Sequence, residues 1–193
     1  GYECVGVDFA KKTVKRIKKA VPELDVRWGD IRDLEFGNSS FSGYWSCGVI
    51  EHFRDGYSDI ISEMQRVLKK GGYVFLSIPS MSPLRKIKAR LGLYRRFSGK
   101  EKGSFYQYAL PLETIVGDFQ AFGFKLLENI PRSGLKGLKD EISVLKSPLQ
   151  KLYDYQNKGL WVIDRLIRRF IFVLDKLLAA IGAGHTMFFF QEL

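Results

Sequence analysis

Short apolar runs alternate with charged, helix-spaced stretches through the first 80 residues. Tyr2–Val7 (YECVGV) carries Val5 and Val7 and is followed by Asp8, which predicts a strand. Lys11–Ala20 is charged except for a stripe holding Val14 and Ile17, and Pro22 ends it, which predicts a helix. Asp25–Ile31 (DVRWGDI) reads as a second strand and Gly37–Ser40 as a loop. Tyr44–Ile50 (YWSCGVI) reads as a third strand. Ser58–Lys70 places Ile61, Met64, Val67 and Leu68 at helical spacing before Gly71-Gly72. Tyr73–Ile78 (YVFLSI) is a fourth strand, stopped by Pro79. This alternation predicts parallel β-α-β units with right-handed crossovers and a sheet covered on both faces.

The second half has a different texture. Leu84–Arg96 predicts a basic amphipathic helix with Leu84, Ile87, Leu91 and Tyr94 on one side. Pro111–Phe122 predicts a helix ended by Gly123, and Phe124–Ile130 a strand. Residues 132–150 are rich in Gly, Ser and Lys, and a loop is expected there. Tyr153–Ile181 predicts a long helix or a helix pair, with its charges at 164, 165, 168, 169, 175 and 176 on one side. His185–Glu192 (HTMFFFQE) predicts a last strand. One domain over 1–193 is expected, with a basic cap insert at 81–110 and a helical insert at 132–183.

Composition narrows the class. The chain has 193 residues, 46% hydrophobic and 14% aromatic, enough for a real core and unlike a disordered tail. Two cysteines, Cys4 and Cys47, do not make a disulfide scaffold, so a reduced, cytoplasmic setting is expected. No secretory leader pattern stands at the start. The apolar segment Leu160–Ile181 is broken by Asp164, Arg165, Arg168, Arg169, Asp175 and Lys176, which argues against a spanning helix.

The net charge of +10 is localised. Residues 1–83 carry 12 basic and 11 acidic side chains, and residues 103–193 carry 11 and nine. Residues 84–102 carry eight basic ones against Glu101, a local +7. A uniformly basic nucleic-acid domain would not look like this, and nucleic acid is not an expected partner. A basic amphipathic helix in a cap instead suits an anionic substrate or membrane surface, with a solvated surface helix as the plainer alternative. Leu160–Ile181 admits a packed cap, a dimer face or a lipid contact; the oligomeric state is left open.

In an open parallel sheet, ligands bind beyond the carboxyl ends of the strands. Asp8 stands at such an end, where a carboxylate can accept two ribose hydroxyls or cap the next helix. Phe9 beside it can pack on a purine or in the core. Asp30 can accept from an adenine amine or close a turn. Ser46–Phe53 (SCGVIEHF) crosses from strand to loop at the same edge. Gly48 permits close backbone approach there, and Glu51 and His52 bring two titratable groups. His52 is the candidate base, against a plainer reading in which both side chains shape the loop. Tyr106 and Tyr108 are substrate-contact candidates. No metal site is expected.

Taken in order, YECVGVDFA, WGDIRDLEF, FSGYWSCGVIEHF and EMQRVLKKGGYVFLSIPS resemble a class I S-adenosylmethionine-dependent methyltransferase of the small-molecule, methyltransferase-type-11-like kind. QAFGFKLLENI and HTMFFFQEL resemble that fold's two antiparallel late strands. The resemblance implies an α/β class: a Rossmann-like doubly wound sheet with an antiparallel last strand and a helical cap. It implies S-adenosylmethionine as cofactor, Asp8 on its ribose, Asp30 and Ile31 near its adenine, and Cys47 and Gly48 lining its methionine end. The family's first strand and its G-x-G-x-G loop have no counterpart in 1–193. An N-terminally truncated chain, weak or inactive as an enzyme, is therefore expected.

The expected reaction is in-line methyl transfer to a small or lipid-linked metabolite, in the cytoplasm or peripherally at a membrane through 84–102. The rival from another class is a non-catalytic binding or assembly subunit of the same fold. An RNA methyltransferase is less favoured, because no RNA-binding module is appended and Cys47-Gly48-Val49-Ile50 is unlike an Asn-Pro-Pro-Tyr motif. A dehydrogenase would account for Asp8 but not for the EHF phrase or the late strands.

Overall fold

The structure is a computed structural model that describes residues 1–94, 107–157, 162–181 and 184–193. β1 (Val5–Asp8) and β2 (Asp25–Trp28) are parallel, with Val5 opposite Asp25 and Asp8 opposite Trp28. They are joined by α1 (Lys11–Ala20), which buries only Val14. That one buried position is what a six-cation helix with a narrow apolar stripe can offer. β3 (Phe41–Cys47) runs parallel to β4 (Leu68–Pro79), joined across α2 (Ser58–Val67). α3 (Pro83–Arg90) and α4 (Leu112–Ala121) lead to β5 (Phe124–Arg132). β6 (His185–Glu192) lies antiparallel between β4 and β5.

The strands form two sheets, not one. β1 and β2 form the first, and the second has the order β3-β4-β6-β5. The expected parallel units and the antiparallel last strand are both present. Among the described residues, the inner edges of β1 and β3 carry no ladder.

Period-two alternation builds the core on one face of the larger sheet. Val74, Leu76 and Ile78 of β4 and Phe188 and Phe190 of β6 are fully buried there. Ile60, Ile61 and Met64 of α2 and Ile115 and Phe119 of α4 cover them. Phe119 stacks on Phe190 with ring centroids 4.3 Å apart. Each such side chain contributes about 1.5–3 kcal/mol through its burial. The expectation of cover on both faces is corrected on the opposite side. There Trp45 stacks on Phe75 at 5.1 Å and Phe75 meets Phe189 edge-on at 5.4 Å, yet Trp45 is 66% exposed.

The loop expected over 132–150 is also overturned. It contains α5 (Gly134–Glu141), a 3-10 turn at Ser143–Leu145 and α6 (Lys146–Asn157). Gly134 is a packing residue here: a Cβ at this position would run into the backbone of Asp175 and Ala179 in α7 (Val162–Ile181). Its glycine signals helix-to-helix contact, which spacing alone reads as a turn. The Tyr153–Ile181 stretch resolves into a pair, α6 and α7. Asp175 does not lie outward with Arg169 and Lys176, because its Oδ1 accepts the Leu135 N–H at 2.8 Å. Phe170, Phe172, Val173 and Leu177 are exposed instead, beside Arg169 and Lys176.

The basic cap is tied inward. The buried Arg85 donates from Nε to Glu141 Oε1 at 2.8 Å and from Nη1 to the Ser80 and Gly184 carbonyls at 2.7 and 2.9 Å. Lys88 Nζ and the Tyr94 hydroxyl donate to Glu141 Oε2 at 2.7 and 2.6 Å. Burial works to raise the Glu141 carboxyl, but these three donors outweigh it and hold the group at about 2. Two of the cap's cations are thus structural. Among the described cap residues, Lys86 and Arg90 lie at the surface.

Candidate active site

The carboxyl ends of β1 and β3 face a common cleft. Val7, next to Asp8, and Ser46, next to Cys47, line its two walls, and Ile31 and Val49 also border it. The cavity measures about 250 Å³, and no charged side chain lines it.

On the β1 side, Asp8 Oδ1 accepts the Ala10 N–H at 2.7 Å, closing the turn into α1. One oxygen is therefore spent on structure, and Oδ2 makes no hydrogen bond among the described residues. Trp28 Nε1 donates to the Phe9 carbonyl at 2.8 Å, fixing the turn from behind. The Phe9 ring is 81% exposed, so core packing is excluded and its face is open beside the Asp8 carboxylate. Asp30 is different. Its oxygens take the Arg32 N–H at 2.9 Å and the Arg32 guanidinium at 2.6 Å. Those hydrogen bonds hold its carboxyl below the usual range, so a ligand amine would share an acceptor already in use.

On the β3 side, Gly48 has φ +69° and donates its N–H to the Ser77 carbonyl at 2.8 Å. A side chain would be strained there, and a Cβ would sit 3.6 Å from Glu51 Oε1. Cys47 is exposed, and its Sγ accepts from Trp45 Nε1 at 2.6 Å. Glu51 is almost wholly buried on the turn Ile50–His52, and burial raises its carboxyl pKa. Its Oε2 has no partner among the described residues. An orphaned buried carboxyl oxygen calls for a proton or a donor from outside the chain. His52 is exposed on the same turn, its N–H donating to the Val49 carbonyl at 3.1 Å.

Tyr108 reaches this turn. Its N–H donates to the Glu51 carbonyl at 2.9 Å and its hydroxyl to the Arg54 carbonyl at 3.3 Å. Tyr108 is thereby held against the turn that carries Glu51 and His52. Tyr106 lies outside the described residues.

One supporting feature was not among the sequence expectations. Arg66 donates to the Phe36 and Leu34 carbonyls at 2.7 and 2.9 Å and pairs with Glu63, whose Oε1 accepts the Leu34 N–H at 2.6 Å. This clamp fixes the segment after Asp30 and Ile31. The spacing of Glu63 and Arg66 announces a helical pair, but not its grip on a loop 30 residues earlier.

These features lie together at the carboxyl ends of two parallel strands of an α/β fold. Residues 1–76 match a family model described as "Methyltransferase domain". Over 76 residues the chain is 32% identical to a probable S-adenosylmethionine-dependent methyltransferase of Mycolicibacterium smegmatis; the match spans 39% of this chain and 29% of that protein's length. A SAM-dependent methyltransferase from Methanosarcina mazei superposes with TM-score 0.61 at 14% identity, over 98% of this chain and 81% of the other. A Haemonchus contortus phosphoethanolamine N-methyltransferase 2 superposes with TM-score 0.56 at 18% identity, over 100% and 44%. The [4+2]-cyclase SpnF superposes with TM-score 0.55 at 15% identity, over 97% and 65%. The chain shares the α/β fold of these methyltransferases, and its first 76 residues are similar to a methyltransferase domain.

Proposed function

We propose that this chain is part of an S-adenosylmethionine-dependent methyltransferase acting on a small or lipid-linked acceptor. The observation that carries this reading is the pair at the end of β1: a carboxylate with one unspent oxygen beside an exposed aromatic ring. Such a pair suits a nucleoside, with Asp8 accepting ribose hydroxyls and Phe9 lying on the base. The uncharged cleft walls and the left-handed Gly48 suit close approach of the rest of the donor. When bound, S-adenosylmethionine supplies an electrophilic methyl group on a sulfonium.

The chain's residues then have to align an acceptor and exclude water. The Glu51 carboxyl, raised by burial, can hold a proton or accept from an acceptor hydroxyl or amine. His52, exposed on the same turn, can take a proton from the nucleophile. Tyr108 holds that turn through the Glu51 carbonyl.

A lipid-linked acceptor is supported by α7, whose exposed Phe170, Val173 and Leu177 lie at i, i+3, i+7 spacing beside Arg169 and Lys176. Among the described residues no helix is long and apolar enough to cross a membrane, so contact would be peripheral. The second reading, binding without methyl transfer, is favoured by the occupied Asp30.

Calorimetric titration of S-adenosylmethionine tests the proposal. Asp8→Ala is expected to weaken binding by roughly 1–3 kcal/mol, the scale of hydrogen bonds to a charged acceptor. Unchanged affinity would overturn the assignment. Donor binding without transfer to any acceptor would favour the second reading.

A further inference from the structure

Charge is sorted by direction on α3 and α7. The charges that point inward are paired. Arg85 and Lys88 of α3 both donate to Glu141 of α5, at 2.8 and 2.7 Å. Asp175 of α7 accepts the Leu135 N–H of α5. Arg85 also donates to the carbonyl of Gly184, three residues beyond the end of α7, at 2.9 Å. The three helices are thus fastened together from within.

What points outward is cationic and apolar. On α3, Lys86 and Arg90 stand one residue before Ile87 and Leu91, and all four are exposed. On α7, the exposed Arg169 and Lys176 stand among Phe170, Phe172, Val173 and Leu177. These six apolar side chains are between 48% and 68% exposed. The Lys176 ammonium lies 4.6 Å from the Phe172 ring centroid, so cation and ring share one patch. Residues 83–94 contain no acidic side chain, and Asp175 is the only one in 169–181. Glu113 of α4 approaches Lys86 at 3.9 Å, but both side chains are exposed and such a pair holds little.

This mixture selects its partner. A nucleic acid would satisfy the cations and leave the apolar side chains in water. A second copy meeting the same face would set these cations against their own kind. A bilayer with anionic headgroups satisfies both. The cations stay at the phosphates while the apolar side chains enter the acyl boundary.

We propose that α3 and α7 form a peripheral docking face for an anionic phospholipid bilayer. The proposal rests on the lipid-linked reading above and names its partner, but the binding itself needs no methyl donor. α3 begins four residues after β4 ends at Pro79, and the Ser77 carbonyl of β4 holds the Gly48 N–H. Docking would therefore set the edge that carries Cys47 and Gly48 close to the lipid surface.

The test is cosedimentation of the whole 193-residue chain, without donor, with phosphatidylcholine vesicles and with vesicles holding about 30% phosphatidylglycerol. Partition is expected to be at least about tenfold stronger onto the anionic vesicles. It is expected to fall at least about fivefold in each of Phe170→Ser/Leu177→Ser and Ile87→Ser/Leu91→Ser. All four positions are exposed, so the urea midpoint of each pair is expected to match the wild type. The six cations of α1 are the competing source of attraction, and Lys15→Gln/Arg16→Gln is expected to change partition by less than about twofold. Equal partition onto both vesicles, partition onto neither, or partition that survives both serine pairs would overturn the proposal. A dimer that dissociates in Phe170→Ser/Leu177→Ser would assign the face to a second copy and overturn it equally. No donor is present, so a failure here is distinct from a failure of the donor titration.

Discussion

The two halves of the sheet invite comparison. In the β3-β4-β6-β5 half, alternate residues of the central strands are fully buried beneath α2 and α4. In the β1-β2 half, no strand residue is fully buried, and α1 contributes Val14 alone. Yet Asp8, Phe9, Asp30 and Ile31 all belong to the thin half. Stability is concentrated where helices cover one face of the larger sheet, while the residues suited to a nucleoside sit on a two-stranded ribbon that is marginal by itself. Ligand-binding segments are commonly drawn from the low-stability end of a fold. Under the proposed function, donor binding and order in the thin half are linked.

The largest expected effect breaks the comparison most cleanly. Phe119→Ala removes a fully buried ring stacked on Phe190 and is expected to cost about 3–5 kcal/mol in urea unfolding. Val26→Ala on β2 is expected to cost about 1 kcal/mol or less. Equal costs would erase the distinction between the halves.

Next is Glu141→Ala, which strands Arg85 and Lys88. A loss of about 3 kcal/mol is expected, since a buried cation would be left unpaired. Its pH signature follows from the depressed carboxyl. A group at about 2 when folded and 4.5 when free contributes stability that is complete above pH 4.5 and lost as pH falls toward 2. The wild type is expected to lose about 2 kcal/mol across that window, and the variant to lack this component.

His185 occupies the adjoining window. Burial, then the charges of Lys136 and Arg85, lower it to about 4 from 6.5. The unfolded chain binds the proton first, so stability is expected to fall from pH 6.5 down to 4. His185→Asn should flatten the stability curve over that interval.

The smallest effect sharpens the functional side. Arg32→Ala breaks an exposed pair, so stability should change by no more than about 0.5 kcal/mol. It frees Asp30, and tighter donor binding in calorimetry is expected if Asp30 faces the adenine. Unchanged affinity would remove Asp30 from the site.

Much of this architecture was legible because local signals agreed with the final packing. HTMFFFQE alternates on both faces of an interior strand, and β6 spans the expected residues. Pro79 and Gly123 marked real ends. Residues 132–150 were misread because Gly134 and Gly137 serve α5 packing, a tertiary cause that composition reports as a turn. The basic cap was read as facing an anionic ligand, a membrane surface or solvent, because a buried acceptor in α5, Glu141, has no local signature 56 residues from Arg85. At the site, positions were legible but availability was not. The sequence placed Asp8 and Asp30 alike, and only the fold shows that Arg32 occupies one and leaves the other an open oxygen.

Native-state hydrogen exchange of the chain tests the contrast between the halves most directly. Amides of Val5–Asp8 and Asp25–Trp28 are expected to exchange at least about a hundredfold faster than those of Val74–Ile78 and Phe188–Phe190, through local opening. Equal protection in both halves would show one cooperative unit and contradict it.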